Sequence, residues 1–158
     1  MDEQKVFFDP TAFDSELLAA VARTGMCSDY YSLCSQFLYR KEVEWPKLPT
    51  NEILQEASTR IALKKEKGVG RLFGVTDLPF GYSLCFVLQD RTVETEITFP
   101  YHGQQTTTTF ALLCNRVTQF EGSGDVLYPR PMQYSMDELI TIFVRLREIM
   151  LKLATMCI

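Results

Sequence analysis

The last two dozen residues constrain the fold more than any other part of this chain. Ser135-Met136-Asp137-Glu138 is a helix start, with serine as the capping residue and acidic side chains in the first turn. The following apolar residues recur at alternating steps of three and four, which makes one continuous stripe on an α-helix. The residues of this stripe are Met136, Leu139, Phe143, Leu146, Met150, Leu153 and Cys157.

A second apolar row runs beside that stripe and contains Ile142, Ile149 and Met156. A helix this apolar has to be covered on more than one side. Two coverings are open: the helix lies on a sheet of its own chain, or part of its surface meets another protein. The partner-binding residues that we predict on this helix are Leu139, Ile142, Phe143, Leu146, Ile149, Met150, Leu153 and Met156.

The earlier part of the chain changes from helical spacing to strand spacing. Apolar residues at helical intervals predict two helices in residues 1–49 and a third over residues 50–67. Runs typical of strands follow at 72–76, 82–89, 92–99 and 106–117, and the short link Asp90-Arg91 predicts a hairpin. In the run 92–99 polar and apolar residues alternate, so one face of that strand should be wet.

These elements predict an α+β fold: N-terminal helices, an antiparallel four-strand meander, and a long C-terminal helix packed on the sheet. We predict a helical extension, residues 1–49, followed by an α+β interaction domain, residues 50–158. The alternative is one single domain, residues 1–158, which is the usual organisation of a chain of this length.

The region 50–158 resembles the RWD domain, a relative of ubiquitin-conjugating folds. The resemblance rests on a helix over 50–67, a four-strand meander, a Tyr-Pro turn and a terminal helix. In that family a Tyr-Pro-x-x-x-Pro motif follows the third strand. Here Pro100-Tyr101 stands there in reversed order, and Tyr128-Pro129-Arg130-Pro131 comes one strand later. The resemblance implies pairing with another protein, without catalysis.

Composition disfavours several other classes of function. The net charge is −4 and no long basic run occurs, so we predict no nucleic-acid binding. The closing helix is too charged to be a membrane span, since it contains Arg145, Arg147, Glu148 and Lys152. Five cysteines without a CxxC pair indicate reduced thiols, which predicts a cytoplasmic or nuclear protein.

Little in the sequence indicates chemistry. His102 is the only histidine, so a multi-histidine metal site is not predicted. The glycines Gly68, Gly70 and Gly74 follow a predicted helix and precede a strand, the reverse of a phosphate-binding loop, so no cofactor is predicted. The glutamates Glu94 and Glu96 lie on the wet face of one strand, where no cleft is implied.

We therefore predict a non-enzymatic interaction module, an adaptor or a subunit of a complex, which forms a heterodimer or larger assembly. It would bind its partner through the closing helix, the N-terminal helices or a sheet edge such as the threonine run 106–109. Three alternatives stay open. One is a structural homodimer formed through the last helix, and another is an enzyme that pairs a cysteine with His102. The third is a protein that binds a small ligand in a pocket between the helices and the sheet.

Overall fold

A computed structural model describes residues 13–122 and 128–156 of the chain. Five helices and five strands are formed in these residues, with three helices before the sheet and two after it. In chain order they are α1 (Ser15–Thr24), α2 (Met26–Gln36), α3 (Thr50–Ala57), β1 (Leu63–Glu66), β2 (Arg71–Val75), β3 (Ser83–Gln89), β4 (Thr92–Tyr101), β5 (Gln104–Thr108), α4 (Phe110–Glu121) and α5 (Met136–Leu153).

The strands form one antiparallel sheet whose spatial order, β1-β2-β3-β4-β5, is the order of the chain. Strands β3 and β4 form the predicted hairpin, since Gln89 pairs with Thr92 across Asp90-Arg91. Burial alternates residue by residue along β4, as expected for a sheet with one covered face. The predicted α+β class, the antiparallel meander and the long C-terminal helix are confirmed, with five strands in place of the four predicted.

The additional strand is β1, which lies inside the helix predicted over 50–67. That prediction is wrong beyond Ala57, where α3 ends. Residues Leu63–Glu66 pair with β2, with Leu63 opposite Val75. Because β1 is a short edge strand with Lys64 and Lys65 exposed, it lacks the apolar alternation that marks a strand in a sequence.

The strand predicted over 106–117 is also too long. Strand β5 ends at Thr108, and Thr109 caps α4 by accepting a hydrogen bond from the Leu112 amide at 3.0 Å. The Phe110 amide donates to Thr95 Oγ1 on β4 at 3.1 Å, which places the start of α4 beside the sheet. The first five residues of α4 are all buried, so the segment shows no helical periodicity.

The helices cover the face of the sheet that carries Phe73, Phe86 and Phe99, and the core lies between the two layers. Leu17 of α1 and Leu33 of α2 belong to the same buried cluster as these rings and as Phe143 of α5. Apolar side chains from 1–49 and from 50–158 are thus buried together, and the domain division at residue 49 stays a prediction.

Candidate functional site

The eight residues predicted to bind a partner are buried within the chain itself. Each is at most 9% exposed, because α5 lies on the sheet and is flanked by α2 and α3. They are Leu139, Ile142, Phe143, Leu146, Ile149, Met150, Leu153 and Met156. These side chains stabilise the fold, so surface that a partner can reach has to be sought elsewhere. Cys157, the last residue of the predicted stripe, lies outside the described residues.

The apolar faces of the N-terminal helices α1 and α2 are likewise part of the core. Their apolar stripes, which include Leu17, Val21, Tyr30 and Leu33, are buried. The Tyr30 hydroxyl donates to the Pro129 carbonyl at 2.8 Å, and burial of its ring raises the pKa of Tyr30. This hydrogen bond therefore joins α2 to the segment that leads into α5.

The sheet has an edge at β5, in the threonine-rich region singled out in the sequence. The two-residue link of the β3–β4 hairpin makes Gln89 and Thr92 a hydrogen-bonded pair, which assigns Thr92, Thr98 and Pro100 to the β3 side. The backbone groups of Ile97 and Phe99 then face β5. By the same alternation, the backbone N–H and C=O of Gln105 and Thr107 point away from the sheet.

Residues 37–49 connect α2 to α3, and we call them the strap. In the described part of the chain they carry more exposed large apolar side chains than any other connection. Eight large apolar side chains are exposed among the described residues, and half of them lie between positions 38 and 45. These four are between 38 and 61% exposed and are Leu38, Tyr39, Val43 and Trp45. An apolar group of this kind on a surface marks a binding site more often than scattered single residues do.

The strap crosses one end of the sheet and is attached along its length. At its start the Phe37 carbonyl accepts from the Met132 amide at 2.8 Å, and the Arg40 amide donates to Tyr134 Oη at 2.8 Å. At its end the Arg71 guanidinium, on the first residue of β2, donates to the Leu48 carbonyl. These contacts hold the two ends of the strap, the first near β4 and the second at β2.

Arg91, in the β3–β4 link, holds the middle of the strap. Its guanidinium carbon lies 4.7 Å from the ring centroid of Tyr39 and 4.4 Å from that of Trp45. The Arg91 carbonyl accepts from the backbone amide of Gln133 at 2.8 Å, which joins the β3–β4 link to the segment before α5. The two rings are therefore held by cation–π contacts while a large part of each remains exposed.

Sequence reasoning missed this surface because it predicted only helices in residues 1–49 and placed the partner-binding residues on the closing helix. A signal was present: Tyr39, Val43 and Trp45 occur in a charged, proline-containing connection with no helical or strand period. Apolar residues that fit no periodic element are candidates for surface contacts. The contact of Tyr39 and Trp45 with Arg91 could not be found without the pairing of β3 and β4.

The cysteines and His102 lie in different settings. Cys27, Cys34 and Cys114 are buried, and burial raises the pKa of the Cys34 thiol to about 12. Burial likewise holds the pKa of Cys114 well above its usual value. His102 is exposed in the β4–β5 turn, where its Nε2 lies 3.4 Å from Glu16 Oε2.

Gly68 and Gly70 lie in the β1–β2 turn, between two strands, whereas a phosphate-binding loop leads into a helix. Within residues 13–122 and 128–156 no group of three or more His, Cys, Asp or Glu side chains is arranged to hold a metal ion. In the same residues no helix combines the length and the apolar character needed to cross a membrane.

No protein-family model, no curated protein and no solved structure matches this chain. The resemblance to the RWD domain therefore stays a prediction from the order of its elements.

Proposed function

We propose that this protein is an interaction module, an adaptor or a subunit of a complex, that binds another protein through the strap. The observation that carries the proposal is the exposure of Leu38, Tyr39, Val43 and Trp45 on a segment attached at both ends. A fixed surface loses little conformational entropy on binding, so its apolar area contributes more fully to affinity.

The residue types on the strap support this function. Tryptophan, tyrosine and arginine are the residues most enriched in the energetic centres of protein interfaces, and all three meet in the Tyr39–Arg91–Trp45 stack. Tyr39 and Trp45 are not part of the buried core, in which α5 and the sheet already cover each other.

Affinity purification from the native cells, with a matched pair of double variants, tests the proposal. Leu38→Ser/Val43→Ser removes apolar surface from the strap without touching the Arg91 stack. Val69→Ser/Phe80→Ser removes side chains that are even more exposed but lie in the β1–β2 turn and the β2–β3 loop. We expect a stoichiometric partner to co-purify with the wild type and with the second variant, and to be lost with the first.

Co-purification of the same proteins with all three forms, in equal amounts, would show that the strap is not the binding surface. The thermal melting of each variant is measured first, so that unfolding is not mistaken for lost binding.

The β5 edge favours a second candidate, a homodimer formed by strand pairing. Gln104 and Gln105 are exposed at this edge, and a strand of a second copy would pair with Gln105 and Thr107. Light scattering of the purified protein measures its mass. A dimer that dissociates in Gln104→Lys/Gln105→Lys supports this candidate, and a monomeric wild type excludes it.

A further inference from the structure

Arg91 places a positive charge inside the apolar surface of the strap. Its guanidinium carbon is 4.7 Å from the ring centroid of Tyr39 and 4.4 Å from that of Trp45, and both rings are themselves partly exposed. Stacking on aromatic rings orients a guanidinium without using its N–H donors. The contacts therefore hold Arg91 in place while its donors stay available to another group.

The two outer nitrogens of Arg91, Nη1 and Nη2, are the available donors. Within residues 13–122 and 128–156 neither atom forms an ion pair or a hydrogen bond. The Nε atom is buried and has no hydrogen-bond partner, whereas neither Nη atom is both buried and unpartnered. Both Nη atoms can therefore be reached from outside. Their planar pair of N–H groups matches the two oxygens of a carboxylate.

The charged residues near Arg91 do not supply this carboxylate in the described part of the chain. Asp90, the preceding residue, is exposed and forms no ion pair there. Arg40 of the strap is paired with Glu138. The other charged residues of the strap are two lysines and two glutamates, all of them exposed: Lys41, Glu42, Glu44 and Lys47. Their charges cancel, so Arg91 remains as an oriented cation beside the apolar side chains.

A purely apolar partner on the strap would remove water from Arg91 and offer no acceptor in its place. A donor that is buried without an acceptor loses its hydration energy, and the loss is larger for a charged group. A carboxylate at this point would replace the water with a pair of charge-assisted hydrogen bonds. The chemistry of Arg91 thus favours an acidic side chain within an apolar contact.

We propose that the strap binds a segment of the partner protein in which apolar side chains flank an aspartate or a glutamate. The apolar side chains lie on Leu38 and Val43, and the carboxylate binds Nη1 and Nη2 of Arg91. The proposal rests on the proposed function and specifies the chemistry of the partner. Leu38 and Val43 are 61 and 43% exposed, so a small free carboxylate would leave them uncovered, whereas a segment of a protein covers them.

The charge of the whole chain makes this preference distinctive. The net charge is −4, so long-range attraction does not favour an acidic partner. A preference for a carboxylate therefore has to come from a local cation, and Arg91 is a cation that the rings of the strap hold in position.

Two short peptides test the proposal by NMR titration. Both consist of leucine and serine with blocked termini, and they differ only at the central residue, which is glutamate in one and glutamine in the other. Trp45 is the only tryptophan, so its indole N–H signal reports binding at the strap directly. We expect the glutamate peptide to bind about tenfold more tightly than the glutamine peptide, and this ratio to fall as salt rises from about 0.05 to 0.3 M.

Two variants of equal charge assign the preference to Arg91. Arg91→Gln should reduce the ratio of the two affinities to less than about twofold, because the guanidinium is lost. Arg23→Gln removes the same charge from an exposed position in the last turn of α1, and should leave the ratio at about tenfold. The two peptides are compared within each protein, so a change in the positions of the rings affects both affinities alike and cancels in the ratio.

Equal affinity of the wild type for the two peptides, a ratio that persists in Arg91→Gln, or no binding of either peptide would overturn the proposal. These outcomes are separate from the test of the strap. If Leu38→Ser/Val43→Ser loses its partner in cells while the wild type binds both peptides equally, the interaction module stands and only the carboxylate is excluded. If the glutamate peptide is preferred but the strap variant retains all its partners, the strap is excluded as the partner's site, and the proposal with it.

Discussion

The rings of Phe86 on β3 and Phe143 on α5 stack face to face, with 4.2 Å between their centroids and 7° between their planes. Phe73 on β2 contacts the same Phe143 ring at 5.9 Å. All three side chains are completely buried. Phe143 is thus the point at which the closing helix is fixed on the sheet.

Phe143→Ala should destabilise the protein by about 3–5 kcal/mol, because a large ring is removed from a packed interior and leaves a cavity. Urea unfolding followed by circular dichroism measures the change. Phe80→Ala is the matched control, since that ring is fully exposed, and it should change the free energy of unfolding by less than about 0.5 kcal/mol. Similar losses in both variants would contradict the packing described here.

Arg91→Ala should change the environment of Trp45 more than it changes stability. Trp45 is the only tryptophan, so its fluorescence reports directly on the strap. Loss of the guanidinium releases the ring, and we expect a red-shifted emission maximum and stronger quenching by acrylamide. The cation–π contacts contribute about 0.5–1 kcal/mol each at such an exposed site. Arg147→Ala, which removes an ion pair with Asp77, should leave the emission unchanged.

Asp14 should make stability depend on pH in the acidic range. Its Oδ1 accepts from the Leu17 amide at 2.8 Å and from Tyr101 Oη at 2.7 Å, and these bonds hold the pKa of Asp14 below its usual 3.8. The charged form is therefore favoured in the folded state. Its contribution is complete above pH 3.8 and is lost as pH falls through the lower, folded-state pKa.

Unfolding in urea at several pH values checks this expectation. The difference in the free energy of unfolding between wild type and Asp14→Ala should be constant near neutral pH and shrink below pH 3.8. A difference that stays the same down to the most acidic pH would exclude a role for the carboxylate charge.

The cysteines should differ in their reactivity with iodoacetamide. Cys34 and Cys114 are buried and their thiolates are disfavoured, whereas Cys85 is partly exposed on the other face of the sheet. Mass spectrometry at mildly alkaline pH should find Cys85 modified before Cys34 and Cys114. Faster modification of either buried thiol would support the alternative of a cysteine-dependent enzyme.

The sequence was most informative where a single period extends over many residues. The eighteen-residue helix α5, its cap at Ser135 and the alternation along β4 could be predicted because each is set by local chemistry. Strand β1 could not, since most of its residues are polar and its position is set by backbone pairing with β2. Helix α4 could not, because Phe110, Ala111 and Leu112 are buried on all sides.

The candidate site was harder to predict than the fold, because the sequence does not show whether an apolar residue is covered by its own chain or by a partner. Leu146 and Ile149 fit a partner surface equally well until the sheet is placed against them. Trp45 gave no sign of a binding surface until the structure left it exposed. Leu38 fits the apolar stripe of the second predicted helix, but α2 ends at Gln36 and leaves Leu38 exposed.

The agreement between strand order and chain order has a consequence for how the protein forms. Every strand pairs with its neighbour in the sequence, so the sheet can assemble hairpin by hairpin from local contacts. The helical layer differs, because the ion pair between Asp29 and Lys152 joins residues 123 positions apart. During synthesis the apolar face of the sheet is therefore complete before α5 exists to cover it. In that interval the part of this face that α5 later covers is exposed, and exposed apolar surface of this kind favours aggregation.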